Sequence, residues 1–258
     1  MIHFHIVTLF PESIKPYLES SILGRAIEKK LIKISFYDPK KYVYPERSRG
    51  AAGPSTELRI KKHKRVDQRP YGGGPGMILE PTAVLRATDK ALSKTYKMYK
   101  GNPRTGKSST RVTLVRLVQK PSIFFFATDG ELFSEEMAKK MAKGSPTKTK
   151  HIVLICGRYE GVDARVQKIL KAKKISVGPY VLTGGELPAA TIIDAVARFI
   201  PGVLGKAESL EASRVSSPEV YTRPEVLEWK RKKYRVPKVL LTGHHAKIDE
   251  WKNKMRQK

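Results

Sequence analysis

Residues Ile175 to Gly205 read ISVGPYVLTGGELPAATIIDAVARFIPGVLG. A short apolar strand (Ile175, Val177) runs into Gly178-Pro179. An apolar Tyr180-Val181-Leu182 follows and reaches a second turn, Thr183-Gly184-Gly185. Glu186-Leu187-Pro188 then opens a helix, with proline where a missing N–H costs little. Ile192, Ile193, Ala195, Val196, Phe199 and Ile200 recur at helical spacing. Asp194 and Arg198 fall four apart on one face of that oily segment, and Pro201-Gly202 stops it. Two glycine turns around an apolar strand end make a backbone pocket, because glycine lets a ligand approach main-chain N–H and C=O groups closely.

Upstream, strands alternate with helices. His3–Phe10 reads as a strand ended by Pro11, Glu12–Lys30 as a helix, Leu31–Tyr37 as a strand and Pro81–Leu92 as a helix. Ile123–Thr128 reads as a buried strand ending in Asp129-Gly130. Ser134 caps a helix to about Lys143, with Glu135 and Glu136 in the first turn where the dipole favours them. His151–Cys156 is a buried strand, and Asp163 starts a helix to about Lys171. This order predicts an α/β domain with a mostly parallel sheet. After Gly205 the texture changes: 206–219 reads as a polar linker and 220–258 as a small basic tail. No internal repeat is present.

The chain has 258 residues, with 51 Lys and Arg against 24 Asp and Glu, a net charge of +27. Residues 40–121 hold 20 basic and 5 acidic side chains, a net of +15; residues 228–258 hold 11 and 3, a net of +8. The excess therefore lies mostly outside the predicted sheet. A polyanion is the natural partner, since neutralising phosphates supplies affinity without sequence readout. Merely solubilising lysines are the alternative. One cysteine, Cys156, excludes an intrachain disulfide or thiolate cluster. No apolar run approaches a membrane span, and the N-terminus lacks a signal peptide's basic and cleavage regions. A cytoplasmic protein is expected.

Gly101-Asn102-Pro103-Arg104-Thr105-Gly106-Lys107-Ser108 matches the P-loop pattern, but no buried strand feeds it and no helix leaves it. A basic loop is the better reading. His244-His245 has no cysteine or carboxylate at ligand spacing, so no metal centre is expected. Cys156 reads as a small buried hydrophobe. Gly157-Arg158-Tyr159-Glu160-Gly161-Val162-Asp163 follows a buried strand, where open α/β sheets bind ligands; a plain strand-to-helix turn is the alternative. With 177–185 and the loop at Thr128, it gives three candidate walls for one pocket.

DQRPYGGGPGM (67–77), LICGRYEGVDARV (154–166), VGPYVLTGGELPAATIIDAVARFIPGVLG (177–205), YTRPEV (221–226) and VPKVLLTGHHAKIDEW (236–251) together resemble the bacterial tRNA (guanine-N1)-methyltransferase family. The resemblance covers most of the chain, in order. It implies a trefoil-knotted α/β methyltransferase domain over 1–205, with basic insertions near 44–60 and 100–121. It also implies a linker over 206–219 and a small helical tRNA-binding C-terminal domain over 220–258. That last domain reads as truncated, because the chain ends soon after Trp251. S-adenosylmethionine is the implied cofactor. Its contacts would fall on Gly157, Val177, Gly178, Pro179, Tyr180, Val181, Leu182, Gly184 and Gly185, with Thr128 on another wall. The implied assembly is a homodimer with the site between subunits. The implied reaction methylates the guanosine 3′ of the anticodon.

The chemistry sets its own requirements. N1 of guanine is protonated at neutral pH, so a carboxylate should remove that proton. Charge then grows on O6, so a fixed cation should face it. Arg198 matches the family's helix arginine; an i, i+4 ion pair with Asp194 is its bland alternative. The family's base is an aspartate in the linker, where this chain has none. Glu211 is the nearest carboxylate and Glu208 the second, and either is otherwise a solvated loop residue. Pro179 replaces the family's usual aspartate after Gly178, removing a donor and stiffening the loop. The active enzyme is therefore set against a knotted RNA-binding protein that keeps the pocket without turnover.

Overall fold

The computed structural model describes residues 1–43, 65–93, 121–144, 149–204 and 219–256. The expected basic insertions near 44–60 and 100–121, the P-loop-like segment and nearly all of the linker lie outside these residues. The chain divides into two units, Met1–Val203 and Leu204–Lys258.

The first unit is built on five parallel strands: β1 (Ile2–Val7), β2 (Ile32–Tyr37), β5 (Ser122–Leu132), β6 (Lys150–Ile155) and β7 (Lys173–Ser176). Their order across the sheet is β2-β1-β6-β5-β7. A small antiparallel pair, β3 (Asp67–Gln68) with β4 (Ile78–Leu79), lies apart from it. Strand β6 ends in an unbroken apolar run, Ile152–Ile155, as a parallel strand covered on both faces requires. Its side chains alternate between two cores. Ile152 and Leu154 join Phe4, Ile6, Ile175 and the helices α2 (Ser21–Glu28), α4 (Glu135–Ala142) and α6 (Glu186–Ala197). Val153 and Ile155 join Val7, Tyr37 and the helices α3 (Pro81–Leu92) and α5 (Ala164–Leu170). The unit is thus a three-layer α/β/α stack with both sheet faces dry.

Two elements depart from expectation. The helix read over Glu12–Lys30 is broken into a 3₁₀ turn at Pro11–Ser13, α1 (Lys15–Leu18) and α2. Ser20 Oγ donates to the Tyr17 carbonyl at 2.9 Å, and Ser21 takes a φ of +50°. Serines competing for backbone groups end α1 early. Strand β5 does not stop at Asp129-Gly130 but continues to Leu132. Its pairing with β7 slips, so that Phe126 and Glu131 both face Ile175. A Cβ on Gly130 would lie 2.5 Å from the Ile175 nitrogen. The glycine marks a bulge inside the strand rather than its end.

The second unit, expected to be helical, also contains a β-hairpin. β8 (Val226–Trp229) pairs antiparallel with β9 (Lys232–Arg235), followed by α7 (Lys238–Leu241) and α8 (His245–Arg256). Lys230 and Arg231 form the turn at φ +47° and +63°, the mirror-image geometry that matches strand twist. No described helix is long and apolar enough to cross a membrane.

Candidate functional site

The bulge of β5 and the carboxyl ends of β6 and β7 open into one pocket. Its three walls are the β5 bulge (Phe126 to Thr128), the turn after β6 (Gly157 to Gly161) and the loop after β7 (Val177 to Gly185). The local chemistry closes these turns. The Gly185 N–H donates to the Gly157 carbonyl at 3.0 Å. A Cβ on Gly185 would sit 2.5 Å from Cys156 Cα, so only glycine lets the loop seat on the end of β6. Ser176 Oγ donates to the Gly178 carbonyl at 2.9 Å and holds the start of the loop. The turn after β6 is held from its other side. Leu79 N–H donates to the Gly161 carbonyl at 3.0 Å, and Glu160 N–H to the Met77 carbonyl at 3.0 Å. The glycine-rich segment Gly72–Gly76 therefore ends against the pocket rim instead of standing free as an ordinary turn.

Of the residues expected at a cofactor, Gly157, Val177, Gly178, Tyr180, Val181, Leu182, Gly184 and Gly185 line this pocket, and so does Thr128. Pro179 lies on the same loop but is exposed and outside the lining. Arg198 caps the far end of α6, twelve residues or about 18 Å from Glu186. It is exposed and is not in the wall of its own chain's pocket. Asp194 faces Tyr17, whose hydroxyl is held above its ordinary pKa by burial first and then by that carboxylate. Glu208 and Glu211 lie outside the described residues. Cys156 is fully buried; burial pushes its thiol well up, Glu186 adds to this and Arg158 offsets it. It is an inert small hydrophobe, as read.

A charged group beneath the pocket was not foreseen. Glu186 is 2% exposed. Its Oε1 accepts from Thr8 Oγ1 at 2.6 Å. Its Oε2 lies 2.9 Å from Arg158 Nε, an ion pair off the angle for a hydrogen bond. The Arg158 guanidinium also lies 4.8 Å from the Phe10 ring centre, and its Nη1 donates to the Thr183 carbonyl at 3.4 Å. One arginine thus ties the turn after β6 to the loop after β7. The available signal was a glutamate opening a largely apolar helix. Glu160 also lines the pocket and places a carboxylate on its wall.

The pocket sets glycine-rich backbone, with its N–H donors and C=O acceptors, among Ile175, Val177, Leu182 and Pro188, with Thr128, Arg158 and Glu160 as polar side chains in the lining. Such a set suits a flat heteroaromatic ring read by its edge, with an apolar neighbourhood for the rest of the ligand. An adenosyl group meets that description, so the residues present fit S-adenosylmethionine.

The second unit carries a different surface. In the hairpin register Leu227 faces Tyr234 and Trp229 faces Lys232. These four share one side of the ribbon. Leu227, Trp229 and Tyr234 are 52%, 63% and 54% exposed. Lys230, Arg231, Lys233 and Arg235 flank them, and only Glu228 opposes these charges, paired with Lys233 at 2.9 Å.

Comparison with known proteins shows the family. Residues 2–258 match the family described as tRNA (Guanine-1)-methyltransferase TrmD. A Clostridioides difficile protein named tRNA (guanine-N(1)-)-methyltransferase is 35% identical over 253 residues, covering 96% of this chain and 90% of that one. Proteins of the same name from Dictyoglomus turgidum and Haemophilus influenzae are 35% and 34% identical, each aligned over 84% of its own length. With the match running the length of the chain and its glycine turns gathered in one pocket, the chain belongs to the tRNA (guanine-N1)-methyltransferase family.

Proposed function

We propose that this enzyme transfers a methyl group from S-adenosylmethionine to N1 of the guanosine 3′ of the anticodon, position 37, in tRNA. The observation that carries the reading is the convergence of two glycine-bearing loops and the β5 bulge on one pocket in a chain of this family. When bound, the cofactor supplies an electrophilic methyl group on a sulfonium. The chain's own residues do the rest. The loop from Val177 to Gly185, seated on Gly157, fixes the approach line, and positioning of this kind accounts for much of such a rate. A carboxylate takes the N1 proton: Glu211 in the linker is the sequence candidate, and Glu160 is the carboxylate on the pocket wall. Arg198 faces the charge that grows on O6.

Arg198 reaches a pocket in a homodimer. Leu187, Thr191, Asp194 and Arg198 follow one another at helical spacing along the outward face of α6, and Leu187 is 59% exposed. Two such helices packed antiparallel about a two-fold axis put each Arg198 beside the other chain's Leu187, at the pocket end. The sheet order and the seat of Gly185 on β6 support a trefoil-knotted path for the segment after β7. The basic second unit binds the tRNA, and the reaction belongs to the cytoplasm.

Labelled cofactor and tRNA transcripts carrying G or A at position 37 test the reading. Methyl transfer to the G37 transcript alone is expected; transfer to both, or to neither, contradicts it. Separate E160Q, E208Q and E211Q variants assign the base, which is the one whose loss lowers kcat by about 10²- to 10⁴-fold without weakening cofactor binding.

A further inference from the structure

Strand β1 carries His3 and His5, two apart and so on one face of the sheet. Strand β6 is its parallel neighbour, with His151 directly opposite His3 in the register. The three imidazoles meet near the amino ends of these strands, the opposite end of the sheet from the pocket. His3 and His5 are 4% and 0% exposed, and His151 is half-buried. One nitrogen from each of the three rings lies within 4.8 Å of the other two. Among the described residues no other three His, Cys, Asp or Glu side chains are placed to share an ion.

Neighbours already orient the rings as metal ligands need. His5 Nδ1 is 3.1 Å from Tyr37 Oη, which turns Nε2 toward the cluster. His3 Nε2 is 2.9 Å from Ser35 Oγ, so His3 would ligate through Nδ1. His5 Nε2 and His151 Nδ1 are 2.9 Å apart. Tetrahedral bonds of 2.0–2.1 Å to zinc set ligand nitrogens about 3.3 Å apart. That contact opens by a few tenths of an ångström, and the longest nitrogen pair closes by at most about 1.5 Å. Small ring rotations suffice. Proton sharing alone also satisfies a buried histidine pair, but it does not call for a third imidazole, and the His3 ring, tilted by 31°, has its centre only 3.8 Å from that of His5.

We propose that His3, His5 and His151 form a site for one divalent ion of the zinc class, tying β1 to β6. Three neutral imidazoles with no carboxylate or thiolate select zinc, cobalt, nickel or copper over magnesium and calcium. Water completes the coordination from the half-buried His151 side. The site leaves the ion's charge uncompensated by protein, so the expected affinity is micromolar rather than that of a closed thiolate site. The pattern escapes a linear reading because His151 lies 146 residues from His5.

Cobalt(II) titration of the full, chelator-stripped chain in excess magnesium tests the site. Visible ligand-field absorption, calorimetry and thermal melting are the readouts. One cobalt per chain is expected, displaced by zinc, with a raised melting temperature. The chain has six histidines, and H63A/H244A/H245A leaves only the three of the cluster; it should bind as the wild type does. H151A should lose the absorption band and at least about tenfold in affinity. An absent band in the wild type overturns the proposal, as does its loss in the triple variant. The triple variant decides the matter even where H151A fails to fold.

Discussion

Glu186 and Arg158 form the pocket's foundation, and their geometry sets what each substitution costs. The glutamate is almost wholly buried, while the arginine side chain is 23% exposed. R158M leaves a buried carboxylate with only the Thr8 hydroxyl for support, a loss of about 2–3 kcal/mol after allowance for the arginine's partial exposure. R158M/E186Q removes the orphaned charge as well and should recover most of that loss. Urea denaturation of the wild type, R158M and the double variant measures it. A single variant within about 0.5 kcal/mol of wild type would show that the pair holds nothing. This contact was not legible in the sequence. Glu186 read as an ordinary helix opener, and its burial depends on β1 delivering Thr8 beneath α6 from 178 residues away. The glycines were legible, since Gly157 follows the apolar end of β6 and Gly184 and Gly185 stand directly before the helix α6, and a local signal of that kind needs no knowledge of neighbours.

At the scale of elements, local chemistry was read well and register poorly. The helices at Pro81–Leu92 and at Glu186 were found because proline at the first turn and an apolar stripe coincide there. The hairpin β8–β9 was missed because its turn is Lys230-Arg231, both at positive φ without the glycine or asparagine that advertises such a turn. It read as one more stretch of charge. As a ribbon, it offers Trp229 and Tyr234 for stacking beside lysines and arginines for phosphate, the combination that binds single-stranded nucleic acid. W229A and Y234A should each weaken tRNA binding by about 1–2 kcal/mol, roughly 5- to 30-fold. K230A/R231A should instead lower the salt dependence of binding by about one unit of slope per cation. Fluorescence titrations over a range of salt concentrations separate the two effects. Cofactor affinity should stay unchanged in all three variants, and an unaltered tRNA affinity would leave the ribbon without this role.

At the scale of the whole molecule, the separation of Arg198 from its own pocket bears on the proposed homodimer. Arg198 lies ten residues along α6 from Pro188, which lines the pocket, and a rigid helix cannot fold back to close that gap. If each pocket takes its arginine from the other chain, two defects on different chains complement each other. R198A spoils the partner's site. T128W spoils the site of its own chain, because Thr128 is an exposed residue on the pocket wall and tolerates bulk without disturbing the core. Each variant alone should be nearly inactive. Mixed in equal amounts and allowed to exchange, half of the dimers pair one variant with the other. In those dimers the pocket of the R198A chain receives the intact arginine of the T128W chain, while the second pocket carries both faults. The mixture should therefore recover about a quarter of wild-type activity. Were arginine and pocket to act within one chain, every site would keep a defect and mixing would recover nothing. The recovered rate should also fall on dilution below the dissociation constant of the dimer, whereas a monomeric enzyme would keep its specific activity.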